Sequence, residues 1–310
     1  MKKVMYSSVA FSFMLAACGD SSEEQNEQEQ NQDQDQEQTG YTVEDARGME
    51  FTFEEPPETI VSILPSNTEI IFALGQGDKV IGVSDTDVYP EAVEEIEVVA
   101  EYENPYAERM LELDPDIIIG YEYGNNEMEQ LNDLGLPAFA IDSAATMDDI
   151  FEDIQLIADA LGVPEEGEQL INDMNAEFDE IAEAVEGVEN RSVYFEISPS
   201  PEIWTLGTGT FQHEMIEIAG LQNVFDDVQG WTSISEEQVI ERNPELIYTT
   251  VHYTEDPLEE IRQRDGWNTI DAVENDNVEQ MPPDIMDRPG PRITEATRIL
   301  AETAYPEAFE

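Results

Sequence analysis

The feature that most constrains the fold is a pair of segments that occurs twice, in the same order, along the chain. Residues 69–75 and 214–220 share the pattern Glu-x-Ile-x-x-x-Gly. Residues 108–118 and 237–247 each have the pattern of a helix, a turn with a proline, and an apolar run typical of a buried strand. Because both matches occur in register, the sequence predicts two lobes of similar construction.

Apolar runs alternate with helical stretches along both halves of the chain. The predicted strands are 60–64, 80–83, 117–120, 138–141, 193–197 and 246–251, and the predicted helices are 67–74, 107–113, 127–134 and 147–161. This alternation favours parallel sheets covered by helices. Residues 164–187 start with Pro-Glu-Glu and carry apolar residues on one helical face, so we expect a long helix there. An ordinary surface helix is the alternative for this segment.

The predicted fold is therefore α/β, with two similar lobes of parallel-rich sheets flanked by helices and joined by one long helix. The expected divisions are a signal peptide at 1–17, a disordered acidic linker at 18–40, an N-terminal lobe at 41–145, connecting helices at 146–187 and a C-terminal lobe at 188–310. The linker contains Ser, Glu, Gln, Asn, Asp and Gly without a large apolar residue. Such a segment cannot bury enough surface to fold.

The N-terminus has the layout of a secretory signal. Two lysines precede an apolar stretch that is too short for a permanent membrane span, and the stretch ends in Leu15-Ala16-Ala17-Cys18. This ending resembles a bacterial lipobox, which implies a covalent diacylglycerol on Cys18. A plain signal peptide is the alternative. Cys18 is the only cysteine, so an intramolecular disulfide and a multi-cysteine metal site are excluded.

The net charge of −61, from 73 acidic and 12 basic residues, restricts the partners. Nucleic acid is excluded because phosphate binding needs a basic surface. An anionic membrane would repel the folded part, so we expect the lipid anchor to be the only membrane contact. We interpret the acidity as adaptation to a salty environment, with an acidic calcium-binding surface as the alternative.

Five motifs together resemble the helical-backbone class of substrate-binding proteins, which serve ABC importers of ferric siderophores, haem and cobalamin. They lie at 60–69, 113–118, 207–214, 243–247 and 288–292, the last being Arg-Pro-Gly-Pro-Arg. The resemblance is closest to the cobalamin-binding members, through Gly82-Val83-Ser84-Asp85. Thr86 stands where that group often has an aromatic residue.

The resemblance implies a ligand cleft between the lobes, lined by aromatic side chains and completed by an acid and an arginine. The matching residues are Tyr102, Tyr121, Trp204, Trp231, Asp284 and Arg288. A corrin ring is flat and largely apolar with amide arms at its edge, which suits aromatic walls and hydrogen-bonding tips. Core packing is the alternative for each aromatic residue.

The resemblance also implies partners and a location. The partners are an ABC permease dimer with its ATPase and a small-molecule ligand, and the location is the outer face of the cytoplasmic membrane. Glu69 and Glu214 occupy equivalent places in the repeat, so we expect them to project from equivalent surfaces and dock on the permease. The alternative is that each complements a helix N-terminus. We expect a monomer without a cofactor or a metal site.

The expected ligand is cobalamin or a related corrinoid, and a ferric siderophore is the alternative. Anionic ferric catecholates need several basic groups, and only Arg109, Arg288 and Arg292 are near candidates. Haem needs a ligand such as His, and the chain has His213 and His252. The nucleophile elbow, the Walker loop and the zinc-protease motif are missing from the sequence, so we do not expect an enzyme. A sensing lipoprotein without a transporter remains open.

Overall fold

A computed structural model describes residues 40–101, 104–121 and 126–310. The predicted signal peptide at 1–17, Cys18, nearly all of the linker at 18–40, and Tyr102 lie outside the described residues. Within the described part of the chain, none of the helices combines the length and the apolar character needed to cross a bilayer.

The N-terminal lobe is built on a six-stranded sheet in the order β6-β5-β4-β3-β7-β8. Its pairs are parallel except for the short antiparallel β6, and β1 and β2 form a separate hairpin. The strands are β1 (Tyr41–Glu44), β2 (Glu50–Phe53), β3 (Ile60–Ser62), β4 (Val80–Ser84), β5 (Glu97–Glu101), β6 (Asn104–Pro105), β7 (Ile117–Tyr121) and β8 (Ala138–Ile141). The helices are α1 (Pro65–Ala73), α2 (Ala107–Leu113) and α3 (Glu127–Asp133).

Two long helices, α4 (Met147–Ala160) and α5 (Pro164–Ala184), connect the lobes. Thr146 and Asp149 form a capping box at the start of α4. The two helices pack closely at Gly167, where an added Cβ would lie 2.6 Å from the Cβ of Ala158. The 21-residue α5 also packs against helices of the C-terminal lobe, so the predicted long connecting helix is confirmed.

The C-terminal lobe contains the sheet order β12-β10-β9-β13-β14, with β11 paired to β9. The strands are β9 (Ser192–Ser198), β10 (Trp204–Leu206), β11 (Gln222–Asn223), β12 (Trp231–Ser233), β13 (Leu246–Thr249) and β14 (Val278–Gln280). The helices are α6 (Phe211–Ile218), α7 (Glu236–Arg242), α8 (Pro257–Arg262), α9 (Asp271–Glu274), α10 (Pro283–Met286) and α11 (Ile293–Ala304). Its central pairs are parallel, whereas β10 runs antiparallel to β9 and β12.

The predicted repeat is visible in the backbone. Asp114 and Asn243, which directly follow α2 and α7, both have left-handed conformations, with φ of 49° and 46°. Soon after each turn, a carboxylate accepts the backbone N–H of a residue at or just before a strand of the main sheet, which is β3 in the N-terminal lobe and β9 in the C-terminal lobe. Asp116 accepts the N–H of Thr59 at 3.1 Å, and Glu245 accepts the N–H of Ser192 at 2.9 Å. The two lobes therefore share local geometry as well as sequence pattern.

One apolar core extends through both lobes. It contains Ile60 of β3, Ile154 of α4, Ile181 of α5, Phe195 of β9 and Leu300 of α11, all with at most 1% of their surface exposed. Each lobe also has a smaller core of its own on the other face of its sheet. The α/β class with two lobes of parallel-rich sheets is thus confirmed, and the lobes meet through a continuous interior.

Candidate ligand-binding site

Two backbone carbonyls that accept hydrogen bonds across the lobe boundary lie just beyond strand ends. Arg288 follows α10 and donates from Nη2 to the carbonyl oxygen of Thr86, just after β4, at 3.3 Å. Phe211 follows β10 and donates its N–H to the carbonyl of Ala145, beyond β8, at 2.6 Å. Ligands of open parallel sheets bind outside the carboxyl ends of the strands. The edge where the two sheets approach each other is therefore the candidate ligand cleft.

A buried carboxylate joins the lobes at this edge. Glu69 of α1 has a side chain that is 2% exposed. Its oxygens accept hydrogen bonds from Nε and Nη2 of Arg292, at 2.8 and 2.5 Å, and Nη1 of Arg288 lies 3.4 Å from Oε1. Two arginines of the C-terminal lobe thus share one glutamate of the N-terminal lobe.

The structure brings the predicted acid and arginine together. Nη2 of Arg288 lies 2.8 Å from Oδ1 of Asp284, one helical turn earlier. The side chain of Asp284 is largely exposed, and that of Arg288 keeps 17% of its surface open. Both side chains are thus accessible beside the contact with Thr86, and their contact with a ligand stays a prediction.

The loop after β4 forms the opposing wall. Ser84 donates its N–H and its hydroxyl to Oδ2 of Asp87, at 2.8 and 2.6 Å. Burial raises the pKa of Asp87, while the bonds from Ser84 and the charge of Arg288 act in the opposite direction. The guanidinium of Arg292 lies over the ring of Tyr89, 4.1 Å from its centroid, and 46% of Tyr89 is exposed. Tyr89 is an accessible aromatic residue that the sequence motifs do not indicate.

Trp231 and Trp204 lie on adjacent strands of the second lobe. Leu206 pairs with Trp231 in the β10–β12 register, and Trp204 is two residues away on the same face. Trp231 is 38% exposed, and its indole N–H donates to Oε1 of Gln212 at 3.2 Å. Trp204 is partly buried and lies beside the carboxyl end of β9. Both side chains are placed where a ring ligand could contact them, and that contact stays a prediction.

Several polar side chains that the sequence motifs do not indicate lie around Asp287. Asp287 is exposed, and Thr250 and Gln212 donate hydrogen bonds to its carboxylate, near His252. Nδ1 of His252 lies 3.0 Å from the carbonyl oxygen of Thr250, and the exposed ring of Tyr253 packs against His252 edge-on. The only sequence signal for these residues is their position after β13 and next to Arg288.

Tyr121 does not line the cleft. It is the last residue of β7 and only 9% exposed, and its hydroxyl lies 3.3 Å from the hydroxyl of Ser66. Burial raises its pKa to about 12. The prediction that Tyr121 presents an open ring to the ligand is therefore wrong, because its ring is part of the core. Tyr102 cannot be placed because it lies outside the described residues.

The two repeat glutamates do not project as a pair. The surface position predicted for Glu69 is wrong, because two arginines hold it inside the lobe contact. Glu214 is partly exposed and accepts the N–H of Met147, the first residue of α4, at 3.1 Å. Burial raises the pKa of Glu214. Glu214 thus complements a helix N-terminus, and its docking role stays a prediction.

The other predicted basic and metal-binding candidates already have partners. Arg109 is ion-paired with Glu97 and Glu112 on the surface. His213 is buried, and its Nδ1 lies 3.2 Å from the amide nitrogen of Asn223. Over the described ranges, three or more His, Cys, Asp or Glu side chains do not group in a way that could hold a metal ion.

Comparisons with known proteins agree with this architecture. The model of the periplasmic binding protein family matches residues 60–285. The ABC transporter substrate-binding lipoprotein YvrC of Bacillus subtilis is 34% identical over 304 residues, covering 96% of this chain and 95% of that protein. The vitamin B12-binding protein of Vibrio parahaemolyticus is 31% identical, covering 80% and 90%. A crystal structure of a possible iron-binding periplasmic protein from Staphylococcus epidermidis superposes with a TM-score of 0.74 at 32% identity, covering 81% and 100%.

Two lobes that meet at the carboxyl ends of their strands define the class of two-lobed substrate-binding proteins. The chain belongs to the periplasmic binding protein family, and the resemblance seen in its motifs is confirmed. At the level that its relatives support, it is an ABC transporter substrate-binding protein.

Proposed function

We propose that the protein captures cobalamin or a related corrinoid in the cleft between its lobes and delivers it to the permease of an ABC importer. The protein would act at the outer face of the cytoplasmic membrane, held there by the diacylglycerol on Cys18. Relatives named as a substrate-binding lipoprotein and as vitamin B12-binding proteins support this proposal.

The observation that carries the ligand assignment is the pairing of the arginines nearest the cleft. Arg292 is bound by Glu69, and Arg288 is shared by Glu69 and Asp284. The positive charge that an anionic ferric catecholate needs is thus largely neutralised before a ligand arrives. A nearly neutral macrocycle with amide arms needs hydrogen-bonding tips instead of net charge.

The accessible aromatic side chains fit the same ligand. Tyr89 on one side of the lobe contact and Trp231 and Tyr253 on the other keep 46%, 38% and 64% of their surfaces exposed. Stiff rings give a large contact area to a flat apolar face at small entropic cost. Gln212, Thr250 and Asp287 supply hydrogen-bonding groups beside Trp231.

A ferric siderophore is the second candidate. The Staphylococcus epidermidis protein of the same fold is named as a possible iron-binding protein at 32% identity. An uncharged ferric hydroxamate would not need the arginines to be free. This second candidate function keeps the same cleft and the same transport role and changes only the ligand.

Isothermal titration of the purified protein with cyanocobalamin and with a ferric hydroxamate tests the assignment. We expect micromolar or tighter binding of cyanocobalamin, and Trp231→Ala to raise its Kd about tenfold, which is about 1.4 kcal/mol. Leu134→Ala is the matched control, because Leu134 is 55% exposed at the end of α3, at the opposite edge of the sheet. Binding of the hydroxamate alone, or equal Kd values for the two variants, would contradict the proposal.

A further inference from the structure

The geometry points to Glu69 as a positioning residue. From the N-terminal lobe, it holds Arg292 by two hydrogen bonds, and it thereby positions the segment that carries Arg288 at the cleft and sets the separation of the lobes before a ligand arrives. This inference rests on the proposed ligand-binding role of the cleft, and it replaces the surface role that the repeat predicts for Glu69.

The first support is the burial of the carboxylate. The side chain of Glu69 is 2% exposed, and Arg292 binds both of its oxygens. A buried carboxylate is stable only when charged donors replace its water, and a two-point arginine contact also fixes its orientation. Glu69 therefore cannot turn outward to another protein without taking from Arg292 the carboxylate that binds it at two points.

The second support is the origin of the two arginines. Arg288 and Arg292 belong to the C-terminal lobe and are separated by Pro289, Gly290 and Pro291. The prolines restrict the backbone, and Gly290 lies against the backbone of Ser66 at the start of α1. A short, stiff segment of one lobe is thus held at both of its ends by one side chain of the other lobe.

The third support is a difference between the two arginines. Arg292 binds Glu69 at 2.5 and 2.8 Å and also stacks on Tyr89. Arg288 contacts Glu69 at only 3.4 Å, and its remaining contacts are the carbonyl of Thr86 and the exposed Asp284. Arg288 can therefore exchange Glu69 for an acceptor on the ligand, while Arg292 keeps the carboxylate compensated and the lobes joined.

The separation of the lobes can be measured without a ligand. In the full chain carrying Cys18→Ser, spin labels at Leu111→Cys and Glu241→Cys would report the distance between α2 and α7 by pulsed electron resonance. Both positions are exposed. We expect one narrow distance distribution, and a broader or longer one in Glu69→Gln. An unchanged distribution in Glu69→Gln would overturn the inference, whether or not the protein binds a corrinoid.

Ligand binding gives the second readout. We expect Glu69→Gln to raise the Kd for cyanocobalamin about tenfold, as for coupled sites in general. Glu177→Gln removes an exposed carboxylate on α5, away from the contact between Glu69 and the arginines; it is the matched control and should bind like the wild type. A docking role of Glu69 predicts the reverse, namely normal binding and normal lobe separation with loss of transport only.

A double variant separates positioning from mere loss of stability. Glu69→Gln leaves buried arginine charge without compensation, whereas Glu69→Gln with Arg292→Gln removes that charge too. We expect the double variant to regain thermal stability but to keep the weak binding and the broad lobe distance. Recovery of tight binding in the double variant would overturn the inference.

Failure of the wild-type protein to bind cyanocobalamin, with the distance result as expected, would remove the corrinoid proposal and leave the positioning role in place.

Discussion

At the scale of single residues, the buried carboxyl groups of this acidic protein differ in the charges that surround them. Glu69 and Glu196 are compensated by arginines at contact distance. Asp153 on α4 is 9% exposed and lies near other acids. Burial, followed by the charges of Asp142, Asp149 and Glu152, raises its pKa to about 8.

The protonation of Asp153 should make stability fall as pH rises. In the unfolded chain this carboxyl titrates near 3.8, so the folded state retains a proton that the unfolded state loses. The free energy of unfolding therefore decreases between about pH 4 and pH 8. We expect Asp153→Asn to match the wild type at pH 4 and to be more stable at pH 9 by on the order of 5 kcal/mol, as measured by urea unfolding. Asp179→Asn removes an equally charged but exposed group on α5. An equal gain from both variants would argue against a specific effect of burial.

At the scale of elements, the start of α4 is a junction of three interactions. The hydroxyl of Thr146 accepts the N–H of Asp149 at 3.2 Å, and the Asp149 carboxylate accepts the N–H groups of Ala145 and Thr146. Glu214 then accepts the N–H of Met147 from the other lobe. The helix that begins the connection between the lobes is thus fixed at its first turn by both of them.

Loss of the cap should be measurable. We expect Thr146→Ala to lower the free energy of unfolding by about 1 kcal/mol, because the N–H of Asp149 loses its acceptor inside the lobe contact. Thr146→Ser keeps the hydroxyl and should retain most of the stability. Denaturant unfolding at constant pH measures both variants. A Thr146→Ala variant as stable as the wild type would show that Asp149 and Glu214 secure the helix start without the hydroxyl of Thr146.

Element positions follow from sequence where the periodic pattern is long enough to be decisive. Helix α2 and strand β8 occur at the predicted residues. The strand predicted at 246–251 ends at Thr249, because the hydroxyl of Thr249 accepts the N–H of Val251 and ends the ladder. Strands β10, β12 and β14 have three residues each, too few to show alternation.

The candidate site is predictable only where its residues are close in sequence. Asp284 and Arg288 are four residues apart, so the sequence predicts their proximity. Glu69 and Arg292 are separated by 223 positions, and local patterns carry no information about such a contact. The prediction for Tyr121 is wrong because a residue at a strand end can face either the core or the cleft, and this choice depends on the packing of Ser66.

At the scale of the whole molecule, charge dominates. The formal net charge is −61, and most of the few arginines are held in ion pairs. The remaining acids repel one another across the surface, which opposes the compact state. Salt shortens the range of this repulsion from about 10 Å at 0.1 M to about 3 Å at 1 M.

Stability should therefore rise with ionic strength. We expect the Tm to increase by roughly 5–10 °C between 0.1 M and 1 M KCl, a change of about 2–3 kcal/mol for a domain of this size. Differential scanning calorimetry measures the shift. Sucrose at matched osmolality is the control for general exclusion effects and should shift the Tm less. A constant or decreasing Tm in KCl would contradict the interpretation of the acidic surface as adaptation to salt.

The unbroken apolar interior described above limits how the cargo leaves. A wide opening of the lobes would expose Ile154, Ile181 and Leu300 to water. Full exposure of each such side chain costs about 1.5–3 kcal/mol. We therefore expect unloading to proceed through small shifts of the rim loops, forced by whatever membrane machinery receives the protein. In such a scheme the membrane machinery supplies the force that displaces the rim loops, and the binding protein stays almost rigid from ligand capture to release.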